Sequence, residues 1–385
     1  MYPNLSYLFN DFFNTSIDSW TSVFKTYGMS LVIAFGICSI ILKGELRRRE
    51  SIGLINPIVR TESTHWTENI FLTAISTIIG YKMVHIALNL SVFKINSRDM
   101  ILSWDGNVLG GLFFLLCSVT IIYYSIDHVK SFDNEKTSFY KLSTHLTIFM
   151  IIIGLVFNKL FGIFEVDFDG KTFSQIFNNS GTNFFGGLFG GMLGAYIFCK
   201  LHKIPYHNLL DSISPVLMLG YAIGRLGCHI SGDGCWGIDN HLSKPNWFLL
   251  PNWLWSYNYP HNVADRGINM VNTIGEHNKI LETPVFPTSL YEAIFGFTMF
   301  LILWQMRKKV LRPYLLFIYF LLSMGIERFF IEFMRINNKY TYVGLHLSQA
   351  QFISLLLIIV STSFLFYTNL ITKYQPILSK NESNK

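Results

Sequence analysis

The chain contains few charged residues and few cysteines. The shortage of charge indicates which broad class of protein the chain belongs to. Charged residues make up 14% of its 385 residues, whereas soluble domains carry about 25%. Because a large soluble protein needs a charged surface, this deficit, with 51% hydrophobic residues and 35 Phe, predicts a polytopic membrane protein. Five cysteines are few for a chain of this length. We expect Cys38, Cys117 and Cys199 to be small apolar-helix residues.

Two further features are missing from the sequence. The N-terminal stretch MYPNLSYLFNDFFNTSIDSW has no basic segment followed by an apolar core, so we expect no cleavable signal peptide. No stripe of Lys and Arg is interleaved with aromatic residues in a polar context, which argues against nucleic acid as a partner. We therefore interpret the net charge of +6 as charge carried by the loops of a membrane protein.

Long apolar segments are abundant, and nine of them suit a bilayer crossing, which takes about 17–25 residues of helix. One side of the resulting topology carries more Lys and Arg, notably in GELRRRE and QMRKKVLRP. The positive-inside rule then places the N-terminus outside and the C-terminus inside. The prediction is an all-α polytopic fold with about nine transmembrane helices. The predicted spans are 28–44, 68–91, 107–126, 145–164, 184–201, 210–229, 288–306, 313–333 and 348–371.

The domain organisation follows from these spans. We predict a single integral-membrane domain over residues 1–372 and a short cytoplasmic tail over 373–385. Residues 68–126 are interpreted as an inserted or duplicated helix pair, because IIGYK and a later GG pair in this region have counterparts about 75 residues further on. Residues 230–287 are rich in Trp, Pro and Asn. Since Trp and Tyr prefer the bilayer interface, we predict a small extracytoplasmic cap there.

Ionisable residues inside the predicted spans lie toward the outer half of the membrane. Such residues are costly in a bilayer and usually mark a site or a pathway. Arg225 and Arg328, from different helices, could form a clamp of two guanidinium groups for a phosphate, which implies a lipid headgroup as substrate. Glu332 and Arg335 follow Arg328 at helical spacing and are expected on one helical face. Alternatively, Arg328 pairs only with Glu332 and Arg225 reaches the interface.

Five ordered motifs carry a resemblance to a known family. They are TYGMSLVIAF, FFGGLFGG, GRLGCHISGDGCWG, FPTSLYEA and GIERFFIEFMR. Their order and spacing over most of residues 24–371 are similar to those of the prolipoprotein diacylglyceryl transferases, and the extra helix pair near 68–126 looks like an insertion.

The resemblance implies an enzyme of the bacterial inner (plasma) membrane, with its active site facing the outer half of the bilayer. It would move the diacylglyceryl group of phosphatidylglycerol to the lipobox cysteine thiol of a precursor lipoprotein and release glycerol phosphate. No metal, nucleotide or other cofactor is implied. Arg225 and Arg328 would stabilise phosphate charge, with Glu332 orienting Arg328. The residues implied to line or shape the substrate site are Tyr27, Gly186, Gly187, Gly224, Gly227, Gly237, Tyr291 and Glu292.

The sequence departs from the family at the groups that handle protons. Phe185 stands at the family's histidine and Cys228 at its signature asparagine, while Asp233 is shorter than the family's glutamate. A thiol must lose its proton to attack. His229 is therefore a candidate catalytic base, with Asp233 four residues on as its orienting partner. An ordinary interfacial hydrogen bond is the alternative for His229.

Three alternatives stay open at the level of the sequence. Cys228 and Cys235 form a disulfide, or Cys228 is unpaired in the helix end, or both join His229 and Asp233 in a metal site. For the whole chain, the alternatives to a transferase are a lipid-binding membrane scaffold that has lost its chemistry and, with less support, a small-solute transporter.

Overall fold

The computed structural model describes residues 1–17, 19–59, 62–95, 100–101, 103–128, 136–164, 184–271, 275–310, 312–337, 339–342 and 345–382. The described residues are mainly helical, as the sequence predicts. The chain forms two compact units. Unit 1 comprises Met1–Ile41 with Leu210–Lys385, and unit 2 comprises Leu42–Leu209. The prediction of a single domain over 1–372 stays a prediction.

The described helices, numbered in chain order, account for most of both units. They are α1 Leu5–Phe13, α2 Thr26–Ser51, α3 Glu62–Leu88, α4 Leu90–Ile95, α5 Val108–His128, α6 Ser143–Phe164, α7 Phe184–Leu201, α8 Tyr206–Ser231, α9 Asn252–Trp255, α10 Thr288–Met306, α11 Leu315–Ile331 and α12 Gln349–Glu382. Short 3₁₀ turns cover Trp20–Val23, Phe139–Leu142 and Glu332–Met334.

Three antiparallel strand pairs, which the all-α prediction missed, lie in loops between helices. They are β1 Ile58–Val59 with β2 Lys136–Thr137, β3 Ile268–Asn269 with β4 Lys279–Ile280, and β5 Lys339–Tyr342 with β6 Leu345–Ser348. The sequence signal was too weak to find them, because a strand of two to four residues has no measurable period of two.

Six described helices are long and apolar enough to cross a membrane. They cover Thr26–Ser51, Asn69–Leu88, Phe139–Ile163, Tyr206–Ser231, Thr288–Met306 and Gln349–Thr368. The apolar helices Val108–Tyr123 and Gly186–Leu201 are shorter, and α11 has 17 residues. Although helices occur at all nine predicted positions, the count of nine spans and the orientation therefore stay predictions. The helix α12 continues to Glu382, whereas its candidate membrane span covers Gln349–Thr368, so the predicted span end at residue 371 stays a prediction.

Unit 2 contains two helix pairs that pack in the same way. In α3 and α5, a Cβ on Gly110 would lie 2.6 Å from the carbonyl oxygen of Gly80. In α6 and α7, a Cβ on Gly186 would lie 2.6 Å from the carbonyl oxygen of Phe157. In both pairs a glycine lets two helix backbones approach closely, which matches the sequence repeat.

Unit 1 joins its helices through buried polar contacts as well as apolar packing. Near the start of α8, the Asp211 carboxylate accepts hydrogen bonds from the backbone N–H groups of Tyr314, at 3.0 Å, and Phe317, at 3.1 Å. These donors lie at the first turn of α11, where backbone N–H groups have no partner within the helix. Further along, α11 packs against α10 and α12.

The segment predicted as a cap folds around a small aromatic core. Trp236, Tyr259 and Val285 are buried together, and the rings of Trp236 and Tyr259 lie 4.9 Å apart. Other aromatic side chains of the segment face outward, with Trp247 74% exposed. The segment thus has its own core and a separate exposed aromatic surface. Which side of the membrane it occupies stays a prediction.

Candidate active site

A single buried carboxylate forms the centre of the charged cluster in unit 1. Glu292 is 0% exposed and contacts three guanidinium groups. Its Oε1 accepts hydrogen bonds from Nη1 of Arg328, at 3.0 Å, and Nη1 of Arg335, at 3.2 Å. Its Oε2 lies 3.1 Å from Nε of Arg225. Because a buried charge is stable only when it is paired, Glu292 and the three arginines form one electrostatic unit, which we call the Glu292 cluster.

Arg225 contacts Glu292 as an ion pair, whereas Arg328 and Arg335 also donate directed hydrogen bonds to it. Nε of Arg225 is close to Oε2 of Glu292, but that oxygen accepts no directed hydrogen bond from the described residues. The same holds for Oε2 of Glu327 and Oε2 of Glu332, both of which are buried. Buried carboxylate oxygens normally have donors. The site therefore has acceptor capacity beyond what its own side chains use.

The three arginines reach Glu292 from three different segments. Arg225 lies in the last two turns of α8, and Arg328 lies in the last turn of α11. Arg335 follows the Glu332–Met334 turn in extended backbone, with φ −100° and ψ 154°. The expectation that Arg335 continues the helical face of Arg328 was therefore wrong, because α11 ends at Ile331.

Backbone hydrogen bonds hold the segment that carries Arg335. The N–H of Ile238 donates to the carbonyl of Met334 at 2.8 Å, and the N–H of Gly237 donates to the carbonyl of Phe286 at 2.8 Å. Gly237 forms an antiparallel bridge with Arg335. The loop after α8, the start of α10 and the end of α11 are thus joined, and this explains how residues far apart in sequence meet.

Glu332 is a second buried carboxylate beside the Glu292 cluster. Its Oε2 lies 3.5 Å from Nη2 of Arg328, so Arg328 contacts both Glu292 and Glu332. Glu332 is 2% exposed, and its Oε1 accepts a hydrogen bond from the side-chain amide of Asn337. The alternative in which Arg328 pairs only with Glu332 is excluded by the Glu292 contact.

Tyr221 extends the cluster one turn back along α8. The guanidinium carbon of Arg225 lies 5.2 Å from the centre of the Tyr221 ring, a cation–π distance. The Tyr221 hydroxyl donates a hydrogen bond to Oε1 of Glu327 at 3.1 Å. Tyr221 therefore supports one face of Arg225 and connects it to a third buried carboxylate.

A Cys–Asp–Cys group lies just after Arg225. Ligand-type atoms of Cys228, Asp233 and Cys235 are all within 4.8 Å of one another, and both cysteines are free thiols. The chain turns back at Gly232, whose φ of 65° suits glycine at a helix C-terminus. A hydrogen bond from Cys228 lowers the pKa of the Cys235 thiol. Of the alternatives that the sequence left open, the Cys228–Cys235 disulfide is not formed in this structure.

His229 contacts a tyrosine of the cap rather than Asp233. Its Nδ1 lies 2.9 Å from the hydroxyl of Tyr259, and both side chains are buried. Oδ1 of Asp233 instead accepts the backbone N–H of Cys235 at 3.0 Å. Burial raises the pKa of Tyr259, which keeps its hydroxyl protonated. The predicted pairing of His229 with Asp233 was wrong, because α8 ends between them; a catalytic role for His229 stays a prediction.

The other residues of the predicted substrate site fall into three groups. Tyr27 and Gly227 mark a close approach of α2 to α8, because a Cβ on Gly227 would overlap the Ser30 hydroxyl and lie 3.7 Å from the Tyr27 ring. Tyr291 donates its hydroxyl to the carbonyl of Leu254 at 2.6 Å and so secures the cap. Gly224 and Gly237 lie in unit 1, and Gly186 and Gly187 lie in unit 2.

Sequence reasoning missed three features of this site. Glu292 was assigned to substrate binding, Arg335 was given no role, and Tyr221 with Glu327 was not noticed. The one available signal was the count of charges, since GIERFFIEFMR carries two Glu and two Arg within an apolar context.

Comparison with known proteins supports the same family as the motifs. The family model described as prolipoprotein diacylglyceryl transferase matches residues 110–367. The chain is 27% identical over 262 residues to a phosphatidylglycerol–prolipoprotein diacylglyceryl transferase of Leptospira interrogans, covering 61% of this chain and 73% of the relative. It is 28% identical over 203 residues to the enzyme of that name from Xanthomonas oryzae, covering 51% and 64%. For the enzyme of that name from Chlorobaculum tepidum it is 30% identical over 191 residues, covering 49% and 56%.

The matches to the last two relatives span less than two thirds of those relatives. The family model, however, covers more than half of this chain and includes every member of the Glu292 cluster. The chain therefore belongs to the prolipoprotein diacylglyceryl transferase family and is a transferase.

Proposed function

We propose that this protein transfers the diacylglyceryl group of phosphatidylglycerol to the lipobox cysteine of precursor lipoproteins in the bacterial inner membrane. The observation that carries the proposal is the Glu292 cluster. One fully buried carboxylate contacts three guanidinium groups that are each 14–20% exposed. Guanidinium groups bind phosphate through paired N–H donors. Because Glu292 holds the arginines in place and each remains partly exposed, they are suited to bind the phosphate of a lipid.

The carboxylates of the cluster favour a headgroup that also donates hydrogen bonds. Oε2 of Glu292, Glu327 and Glu332 accept none from the described residues. The glycerol headgroup of phosphatidylglycerol carries two hydroxyl groups, which can donate to such oxygens. A site with buried acceptors discriminates against ligands that lack the matching donor. This favours phosphatidylglycerol over a headgroup that has phosphate alone.

The chemistry requires stabilisation of the leaving group. As the acceptor sulfur forms a bond to the terminal glyceryl carbon, the bond from that carbon to the phosphate oxygen breaks, and glycerol phosphate leaves with the electron pair. Negative charge then grows on the phosphate. Donors fixed before the reaction stabilise such charge without reorganisation, and Arg225, Arg328 and Arg335 are fixed in this way by Glu292.

The test is label transfer in membranes that contain the full chain. Phosphatidylglycerol with labelled acyl chains and a lipobox peptide are supplied, and label on the peptide cysteine is measured. We expect the unmodified protein to transfer label and Arg225→Ala to transfer at least about 100-fold less. A charge-assisted contact is worth about 1.5–3 kcal/mol, and its loss also removes one of the positive charges that neutralise Glu292. The matched control is Arg48→Ala, since Glu45 keeps its contact with Arg49.

A lipid-binding scaffold is the second candidate, and the substitution of Phe185 and Cys228 for the family's histidine and asparagine favours it. It predicts that phosphatidylglycerol binds in an Arg225-dependent way while no label moves. That result would contradict the transferase proposal. Label transfer that Arg225→Ala leaves unchanged would contradict the assignment of the site.

A further inference from the structure

The Cys228, Asp233 and Cys235 group has the composition of a metal site. Its two thiol sulfurs and one carboxylate oxygen lie within 4.8 Å of one another. A tetrahedral zinc site with Zn–S bonds of about 2.3 Å holds its sulfurs about 3.8 Å apart. The three atoms therefore need to move by only about 1 Å or less to share one ion. Thiolate ligands select zinc over magnesium and calcium.

The backbone holds these three residues in place from several directions. The N–H groups of Gly232 and Asp233 donate to the carbonyl of Cys228, at 3.0 and 3.4 Å. The Thr288 hydroxyl donates to the carbonyl of Cys235 at 3.0 Å. Because α10 begins at Thr288, the cysteine loop is attached to the helix that carries Glu292. A preformed loop of this kind reduces the ordering needed when an ion binds.

The surrounding charge suits a divalent cation bound by three anions. Two thiolates and one carboxylate carry three negative charges, so a Zn²⁺ complex has a net charge of −1. Arg225 lies one turn before Cys228 on the same helix, and Arg335 also interacts electrostatically with Cys235. Both guanidinium groups therefore offset the remaining charge. Tyr27 and Tyr259 are further titratable neighbours of the group.

We propose that Cys228, Asp233 and Cys235 bind one Zn²⁺ and leave its fourth position for the thiol of the acceptor cysteine. Three protein ligands with one open position are typical of catalytic zinc. This inference rests on the proposed function. The bound ion would promote deprotonation of the acceptor thiol, because a thiol that binds a metal is deprotonated. Phe185, at the position of the family's histidine, cannot accept that proton.

The step balances without an oxidant or a reductant. When bound, the ion would lower the pKa of the acceptor thiol in its fourth position, and the thiol proton would leave to solvent water. The electron pair of the resulting thiolate would form the bond to the glyceryl carbon as the bond to the phosphate oxygen breaks and glycerol phosphate leaves. The thioether product would be a weaker ligand for the ion than the thiolate.

Metal binding can be measured separately from activity. The purified full chain is reduced, stripped with a chelator and titrated with Co²⁺, whose thiolate complexes show charge-transfer absorption, and then with Zn²⁺ as competitor. We expect one Co²⁺ per chain. Cys235→Ser should lower the affinity by more than the roughly 100-fold that even changes outside the ligand shell cause. Cys235→His, which keeps a ligand, should retain binding, and Cys117→Ser is the matched control.

The role of the fourth position is tested with the acceptor itself. A lipobox peptide should change the charge-transfer absorption of the Co²⁺ protein, and the same peptide with serine at the lipobox cysteine should not. Absence of Co²⁺ binding, or a Cys228–Cys235 disulfide in the isolated protein, would overturn the zinc site. If label transfer is normal in that case, the proposed function survives. If Co²⁺ binds and the peptide is sensed but no label moves, the proposed function fails and the metal site stands.

Discussion

Two buried glutamates of this protein are each paired with several arginines, but by different means. In unit 2, Glu45 is 1% exposed and contacts Arg48 at 2.7 Å and Arg49 at 3.1 Å. Both arginines follow it within one turn of α2. In unit 1, Glu292 contacts arginines that are 67, 36 and 43 residues away in sequence (292 − 225, 328 − 292 and 335 − 292). One group is local, and the other exists only in the folded chain.

The two groups of charges differ in the segments that they connect. The Glu45 group satisfies its charges within one helix, where pairs at i+3 and i+4 are neighbours. The Glu292 cluster joins the ends of several segments, and Oε2 of Glu292 accepts no directed hydrogen bond from the part of the chain that the structure describes. Local charge pairing of the first kind stabilises a helix. Under the proposed function, convergence of the second kind also provides a place for an anionic, hydrogen-bonding ligand.

Removal of the central carboxylate should give the largest contrast. In Glu292→Gln, three guanidinium groups lose their common counter-charge, and the loss of one partner of a buried pair costs about 3–5 kcal/mol. We expect label transfer to fall by at least about 100-fold and the thermal midpoint in detergent to fall. Glu45→Gln is the matched control and should change the midpoint while leaving transfer by the folded fraction within about threefold. Equal losses of transfer in both variants would contradict the distinction.

Removal of a single arginine should give an intermediate contrast. Arg335→Ala deletes one charge-assisted hydrogen bond to Glu292, worth about 1.5–3 kcal/mol, so we expect transfer to fall about 10- to 100-fold. Arg48→Ala removes an arginine from the local group and should have little effect on transfer. The rate is measured at saturating peptide with varied phosphatidylglycerol. If Arg335→Ala behaves like Arg48→Ala, the third guanidinium does not belong to the site.

The smallest contrast concerns two tyrosines whose rings each lie beside an arginine. Tyr221→Phe keeps the ring that contacts Arg225 but removes the hydroxyl that donates to Glu327. A hydrogen bond to a carboxylate is worth about 1.5–3 kcal/mol, but Tyr221 contacts Arg225 through its ring, which Tyr221→Phe keeps, so we expect only about a 2- to 10-fold loss of transfer. Tyr140 lies 5.7 Å from the Arg47 guanidinium, and Tyr140→Phe is the control that should leave transfer unchanged. An unchanged rate in Tyr221→Phe would restrict the cluster to Glu292 and its arginines.

The sequence predicted well those features that depend on local pattern. Apolar length placed helices at all nine expected positions, and the apolar context of Arg225 and Arg328 marked them as site candidates. The motif order identified the family, which the family model confirms. These predictions needed no knowledge of how the segments pack.

The missed features depend on where helices end and on which residues come into contact beyond those ends. Arg335 was expected on a helical face, but α11 ends at Ile331 and the residue reaches Glu292 from extended backbone. His229 and Asp233 were expected at i, i+4 spacing, but the turn at Gly232 separates them. Beyond the end of α11, the N–H of Ile238 donates to the carbonyl of Met334, and sequence spacing alone does not reveal such tertiary contacts.

The most direct test of the account is a double-mutant cycle on label transfer. The rates of Glu292→Gln, Arg335→Ala and the double variant are compared with that of the unmodified protein, and Glu45→Gln with Arg48→Ala forms the parallel cycle. If Glu292 and its arginines act as one unit, the double variant should be little worse than Glu292→Gln alone, with a coupling of at least about 1.5 kcal/mol. The Glu45 cycle should show no coupling in transfer. Additive effects at Glu292 and Arg335, or equal coupling in both cycles, would contradict the account.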